Sequence, residues 1–232
     1  VAAPVLHSSV LDRLGMDITS GVHAAGDVLT LDQLQQRFGV SRTVMREAMR
    51  ILEAMNLVHS RRRVGIVVRP MPEWNVYDAR VIRWRLDGPY RAEQLRTLTE
   101  LRMAVEPMAA AAAARNAGPA ERGHIADLAQ RMRETGEDGR LEAFLEHDVA
   151  FHTLVLRSSG NEMFAALTDV VGEVLKGRTH HGLMPSPPVP VALATHDEVA
   201  RAVRDGDTGA AELAMHTLLA EVRSAIDHVP GC

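Results

Sequence analysis

The sequence predicts a mainly α protein in two parts: three short helices closed by a small β-hairpin, then an all-helical antiparallel bundle. Three observations carry this. The chain of 232 residues is 46% apolar but only 3% aromatic, so its core is built from Ala, Leu, Val and Met, mostly good helix formers. Apolar residues recur at helical spacing almost throughout. The departure is Val58 to Val68, where Arg61-Arg62-Arg63 interrupts a β-branched stretch in the pattern strand, basic tip, strand.

His7 to Ile18 repeats Val10, Leu11, Leu14 and Ile18, the mark of an amphipathic first helix, and Gly21 to Gly26 is a turn. Leu29 to Phe38 reads as the second helix, with Leu31, Leu34 and Phe38 inward. Gly39-Val40 is a tight turn into the third, which Ser41 caps. There Val44, Met45, Ala48, Ile51 and Leu52 share one face, and Arg42, Arg46 and Arg50 share another at i, i+4, i+8. An apolar back and an arginine front suit a helix that docks on a small core and reaches phosphates and guanine edges. The alternative is a solvated arginine face. The basic hairpin that follows favours the nucleic-acid reading, because such a wing lies along the DNA backbone or enters a minor groove.

Arg69-Pro70-Met71-Pro72 breaks the pattern. Residues 1–70 therefore form the first domain, and 71–90 a linker with a linker helix from Glu73 to Leu86 that holds Trp74 and Trp84 by packing. Residues 91–232 form the bundle. Its helices run Ala92 to Asn116 with a kink at Pro107, Ala120 to Glu134, Leu141 to Ser158, Glu162 to Thr179, Val191 to Asp205 and Gly209 to Val229, with a Gly/Pro-rich loop from His180 to Pro190.

The net charge of −4 is uneven. Residues 1–70 carry nine Arg against six Asp plus Glu, a balance of +3 that leaves −7 for the remainder. Cys232 is the sole cysteine, so no internal disulfide forms and a reducing compartment is expected. No apolar run is long enough to span a membrane. The opening Val1-Ala2-Ala3-Pro4 has no basic, signal-like start, so the expected location is the cytoplasm.

Asp148 and His152 leave one face of their helix one turn apart, among Phe144, Leu145, Phe151 and Val155. A carboxylate and an imidazole so spaced can hold one cation or form a simple hydrogen-bonded pair. His196 is a candidate third ligand that sequence alone does not bring to the pair.

With these residues in view, the chain resembles a known family. Ile18-Thr19-Ser20-Gly21, Gly26-Asp27-Val28-Leu29 and the run from Gly39 to Glu53 resemble the winged helix-turn-helix of GntR-family transcription regulators. The resemblance implies that Arg42, Thr43, Arg46 and Arg50, with Arg62 and Arg63 at the wing tip, contact double-stranded operator DNA. Some members offer a further arginine from the second helix, where this chain has Asp32. The block Asp148-x-x-Phe151-His152, Gly160-Asn161, His196 with Val199 and Val203, then Asp207 and Ala211, resembles the FCD ligand-binding domain of the FadR subfamily. Members hold a divalent metal through an Asp and two or three His, and the metal helps bind a small carboxylate effector. The implied ligands are Asp148, His152 and His196, and zinc, nickel and manganese all suit such a nitrogen and oxygen set. The subfamily's last histidine falls at Leu218, and His216 points about 160° away from that position on an ideal helix.

A narrower resemblance rests on Trp74-Asn75-x-x-Asp78-x-x-Val81-Ile82-x-Trp84 and on Glu100-Leu101-Arg102-x-x-Val105-Glu106-Pro107. These resemble galactonate-operon repressors of the subfamily, which also lack that histidine. The implied effector is an aldonate such as galactonate or gluconate. Another small acid, lactate-like or dicarboxylate, is the alternative. The effector candidates are Arg102, Glu106, Asn161, Arg178 and His216, with His180 and His181 as partners for hydroxyls. The implied assembly is a homodimer on a palindromic operator. An enzyme, a metal-dependent hydrolase or isomerase of small acids, is the competing class. No nucleophile motif, extra general base or phosphate-cradling glycine loop supports it.

Overall fold

The computed structural model describes residues 3–185, 188 and 190–227, with side chains from Val10 to Ile226. Cys232 and the expected helix end at Val229 lie outside the described residues. The chain divides into two compact units, Val1–Arg91 and Ala92–Cys232.

The first unit holds α1 (Ala3–Thr19), β1 (Val28–Leu29), α2 (Leu31–Phe38), α3 (Arg42–Ala54), β2 (Val58–Arg61), β3 (Gly65–Val68) and α4 (Ala79–Asp87). Local chemistry sets the turn between α2 and α3. Gly39 takes the left-handed conformation, φ 64°, that ends α2, and the Ser41 hydroxyl accepts from Val44 N to start α3. Behind the arginines, Met45, Ala48, Met49 and Leu52 are buried against Leu11, Leu14 and Ile18 of α1 and against Leu34. The hairpin pairs Val58 with Val68 and Arg61 with Gly65.

Two expectations shift here. Leu29 belongs not to a helix but to β1, which pairs with β3 and makes the sheet three-stranded in the order β1-β3-β2. The Thr30 side chain accepts from Gln33 N and so delays the helix to Leu31. The helix expected from Glu73 begins only at Ala79. A 3₁₀ turn at Met71–Glu73 and extended backbone precede it, and the Asp78 carboxylate accepts from Arg80 N at 2.8 Å to cap it. Helix α4 packs on α1 within the first unit: the Trp84 ring is buried, and its indole N–H donates to Asp12 at 3.1 Å. The Trp74 indole donates to the Arg69 carbonyl at 2.8 Å. Both indole N–H groups are therefore satisfied by the chain itself.

The second unit is a helical bundle of α5 (Arg91–Asn116), α6 (Pro119–Glu137), α7 (Leu141–Ser158), α8 (Glu162–Ala165), α9 (Thr168–His180), α10 (Pro190–Asp205) and α11 (Thr208–Asp227). Helix α6 packs on α7 and α10, α10 on α11, and α7 on α9. Ala109 to Ala114 are all buried, and Ala110, Ala113 and Ala114 join the core formed with α6, α7, α10 and α11. Helix α5 continues through Pro107. The helix expected from Glu162 to Thr179 is two, parted at Ala166-Leu167 without a proline, glycine or capping side chain to announce the break. Arg122 ties helix ends together. Its guanidinium donates to the carbonyls of Ala114, Ala117, Val203 and Arg204, near the C-terminal ends of α5 and α10, where a helix runs out of its own N–H donors.

Candidate functional site

Four helices of the second unit deliver side chains to one cavity. Helix α7 supplies Asp148 and His152, α10 supplies His196, α5 supplies Arg102, and α9 supplies Arg178. All five are buried. The i, i+4 spacing on α7 aims Asp148 and His152 the same way, and the packing of the bundle brings in His196, which sequence alone left unplaced. The Asp148 Oδ1 atom lies 3.3 Å from His152 Nε2 and 3.4 Å from His196 Nε2. One ligand atom from each residue falls within 4.8 Å of the others.

Hydrogen bonds behind this cluster orient both rings. His152 Nδ1 is 2.5 Å from Glu106 Oε2, and His196 Nδ1 is 2.7 Å from the Ala192 carbonyl. Both partners are acceptors, so each Nδ1 carries a proton and each ring turns its Nε2 inward. Asp148 Oδ1 and His196 Nε2 are buried with no hydrogen-bond partner. A carboxylate oxygen and two inward lone pairs repel one another unless positive charge joins them, either as a proton or as a cation. Two imidazole nitrogens and one carboxylate oxygen fit a first-row divalent ion, with coordination positions left for oxygen ligands.

The electrostatics agree. Burial raises the Asp148 carboxyl, yet the two imidazoles outweigh it and hold the group well below the carboxylate range. Burial lowers His152, but the Glu106 charge and bond, with the Asp148 carboxylate 3.3 Å from Nε2, raise it above its ordinary value. Glu106 is held down at about 2: burial raises it, and the charges and bonds of Arg102 and His152 more than offset this. Arg102 Nε sits 2.5 Å from Glu106 Oε1, while Arg102 Nη2 lies 3.4 Å from His152 Nε2. Burial and the nearby Arg102 charge lower Arg178 to about 10, which leaves it cationic at neutral pH. Arg102 Nη1 and Arg178 Nε have no hydrogen-bond partner. Two buried guanidiniums with spare donors face a cavity of about 130 Å³. At roughly 10–15 Å³ per water position, this amounts to about ten such positions.

Two expected effector residues lie elsewhere. Asn161 spends its side-chain oxygen on capping α8, accepting from Met163 N at 2.9 Å, and does not line the cavity. His216 is exposed on the far face of α11, in a surface groove with Met103, Pro107 and Met108, because α11 turns Leu218 inward instead. His180 and His181 do not line the cavity either. Glu106, expected to meet the effector, instead bonds Arg102 and His152. Sequence reasoning missed Glu221, which lines the cavity with Leu218, Val222 and Ala225. That i, i+3, i+4, i+7 stripe on α11 was the signal available.

In the first unit, Arg42, Thr43, Arg46 and Arg50 form the exposed front of α3, and Arg62 and Arg63 lie at the exposed hairpin tip. Arg50 is drawn toward Glu47 at 3.5 Å. The Glu53 carboxylate accepts from Ser60 N at 2.6 Å, which fastens the end of α3 to the first wing strand.

Comparison with known proteins agrees with this architecture. Residues 6–68 match the family described as bacterial regulatory proteins, gntR family, and residues 97–221 match the FCD domain. The chain is 31% identical over 215 residues to the galactonate operon transcriptional repressor of Escherichia coli, covering 91% of this chain and 92% of that one. It is 27% identical over 227 residues to the "Probable D-xylose utilization operon transcriptional repressor" of Paenarthrobacter nicotinovorans, covering 97% and 90%. Among solved structures, the fold matches Lar of Listeria monocytogenes with a TM-score of 0.67 at 17% identity, covering 96% of this chain and 97% of that one. It also matches Streptococcus agalactiae GntR with a TM-score of 0.51 at 22% identity, covering 94% and 99%. Among the described residues no helix is long and apolar enough to cross a membrane. The chain belongs to the gntR family of bacterial regulatory proteins with an FCD domain as its helical half, and is a DNA-binding transcription regulator rather than an enzyme.

Proposed function

We propose that the protein is a homodimeric repressor of a sugar-acid catabolic operon, released from or held on a palindromic operator by an aldonate bound beside a divalent metal ion. The observation that carries this is the pairing, in one buried cavity, of the Asp148, His152 and His196 cluster with Arg102 and Arg178. Asp148, His152 and His196 would hold the ion, and the ion would supply a Lewis-acid anchor for ligand oxygens. The spare donors of Arg102 and Arg178 suit a carboxylate, which an arginine fork receives with two parallel bonds. The galactonate-operon relative points to the sugar acids as the effector class. Arg42, Thr43 and Arg46 would read the major groove, with Arg62 and Arg63 on the backbone or in the minor groove.

The effector's influence on DNA binding equals its differential affinity for the DNA-bound and free states and no more. The test is fluorescence anisotropy of the protein on DNA upstream of its own gene, at stated salt, with a panel of aldonates and with metal added or chelated. Tight binding that one aldonate changes, in a metal-dependent way, is the expected result. Tight binding that no sugar acid alters would leave the regulator without this effector class.

A further inference from the structure

We infer that Glu221 restricts the effector to hydroxylated monocarboxylates and excludes the matching dicarboxylates. This rests on the carboxylate site proposed above. The cavity is graded from its floor to its rim. Asp148, His152, Arg102 and Arg178 are buried, whereas Glu221 and its neighbour Val222 are half-buried and Ala225 is exposed. Leu218, on the same stripe of α11, is buried and contributes no polar atom. An acid anchored at the arginine end therefore extends past an apolar wall toward a single carboxylate at the rim.

Charge balance sets the preference. With a divalent ion and neutral histidine ligands, two guanidiniums and the ion face the carboxylates of Glu106, Asp148 and Glu221. One positive charge remains, which a monoanion neutralises. A dianion overshoots and places its second carboxylate against Glu221, a like-charge contact that partners avoid. A terminal hydroxyl at that place donates to Glu221 instead, and losing such a bond costs affinity because the acceptor is left unpaired. Glu221 stands in no ion pair among those the structure shows for the described residues, so its charge is not already neutralised by a neighbour.

The test uses zinc-loaded full-length protein and isothermal titration with matched acid pairs: galactonate with galactarate, gluconate with glucarate, and xylonate with xylarate. Each pair shares a carbon skeleton and differs only in whether the terminal carbon is an alcohol or a carboxylate. The wild-type protein is expected to bind one monoacid at least about tenfold tighter than its diacid. In Glu221→Gln that ratio falls by about tenfold, while Glu221→Asp retains most of it. Because the residue is half-buried at a rim, circular dichroism of both variants should match wild type. A ratio unchanged in Glu221→Gln, or a diacid that binds wild type as tightly as its monoacid, overturns the role of Glu221 and leaves the carboxylate site standing. Failure of every acid to bind the zinc-loaded protein overturns the site and this inference together.

Discussion

His152 and Glu106 are joined through Nδ1 and Oε2 at 2.5 Å, and this bond decides which nitrogen of the ring faces the cavity. A carboxylate behind an imidazole fixes its tautomer and raises its basicity, and loss of such a partner typically lowers metal affinity by about 10–100-fold. Glu106→Gln is expected to weaken zinc binding by that amount without removing a ligand. Competition with a chromogenic chelator measures it, and an unchanged affinity would show that Glu106 serves the fold alone.

The same carboxylate makes stability depend on acid. In the folded protein its pKa is held at about 2, below its ordinary value of 4.5. It therefore contributes stability that is fully present above about 4.5 and is lost as pH falls through about 2. At roughly 1.4 kcal/mol per unit, the contribution is on the order of 3 kcal/mol. Urea unfolding between pH 5 and pH 2 is expected to show a steeper loss of stability in wild type than in Glu106→Gln.

Leu218 occupies the wall of the cavity that holds Asp148, His152 and His196. Leu218→His would bring another imidazole to that wall and is expected to tighten zinc binding by tenfold or more. Titration of the chelated apoprotein decides this, and equal affinity would place the new ring out of reach of the cluster.

On α3, Arg42→Ala and Arg46→Ala are each expected to weaken operator binding by about tenfold or more, the usual worth of one good base or phosphate contact. Arg50→Ala should change it less than about threefold, since Glu47 already lies beside that guanidinium. A salt titration separates the roles: loss of a phosphate contact lowers the slope of log affinity against log salt by about one. If Arg42→Ala and Arg46→Ala bind as wild type, α3 is not the reading helix.

Gly15 of α1 lies so close to Trp84 that an added methyl group would enter the ring. Alanine favours a helix over glycine by about 1 kcal/mol, yet overpacking a rigid indole costs on the order of 1–3 kcal/mol. Gly15→Ala is therefore expected to lower the urea midpoint and to shift the tryptophan emission. A raised midpoint would mean that the ring moves aside freely.

The sequence was most legible where local chemistry decides. Gly39 and Ser41 announced the turn and the cap, and the arginine stripe of α3 is exposed as its spacing predicts. It was less legible where a distant strand or side chain decides. Leu29 fits a helical period and a strand equally well, and only its partner Ile66 settles the matter. Asp148 and His152 were visible as a pair, but His196 joins them through the packing of α10, which no local spacing encodes. Glu106 was read as facing a ligand because its part in orienting His152 spans helices. Asn161 and His216 were misplaced for a simpler reason: a cap and a helix phase, respectively, turn each away from the cavity.

The chain of contacts from Arg102 through Glu106 to His152 also bears on how such a regulator changes over generations. Replacing Arg102 or Glu106 strands the buried charge of the other, at a cost of about 3–5 kcal/mol, comparable to much of a domain's total stability, and replacing His152 leaves a Glu106 oxygen without its bond. The three residues therefore form one inherited character, tolerant only of concerted change. A lineage that drifts toward a new inducer must do so at positions whose replacement leaves that triad intact. Selection would then sample the rim of the cavity while its floor stays frozen.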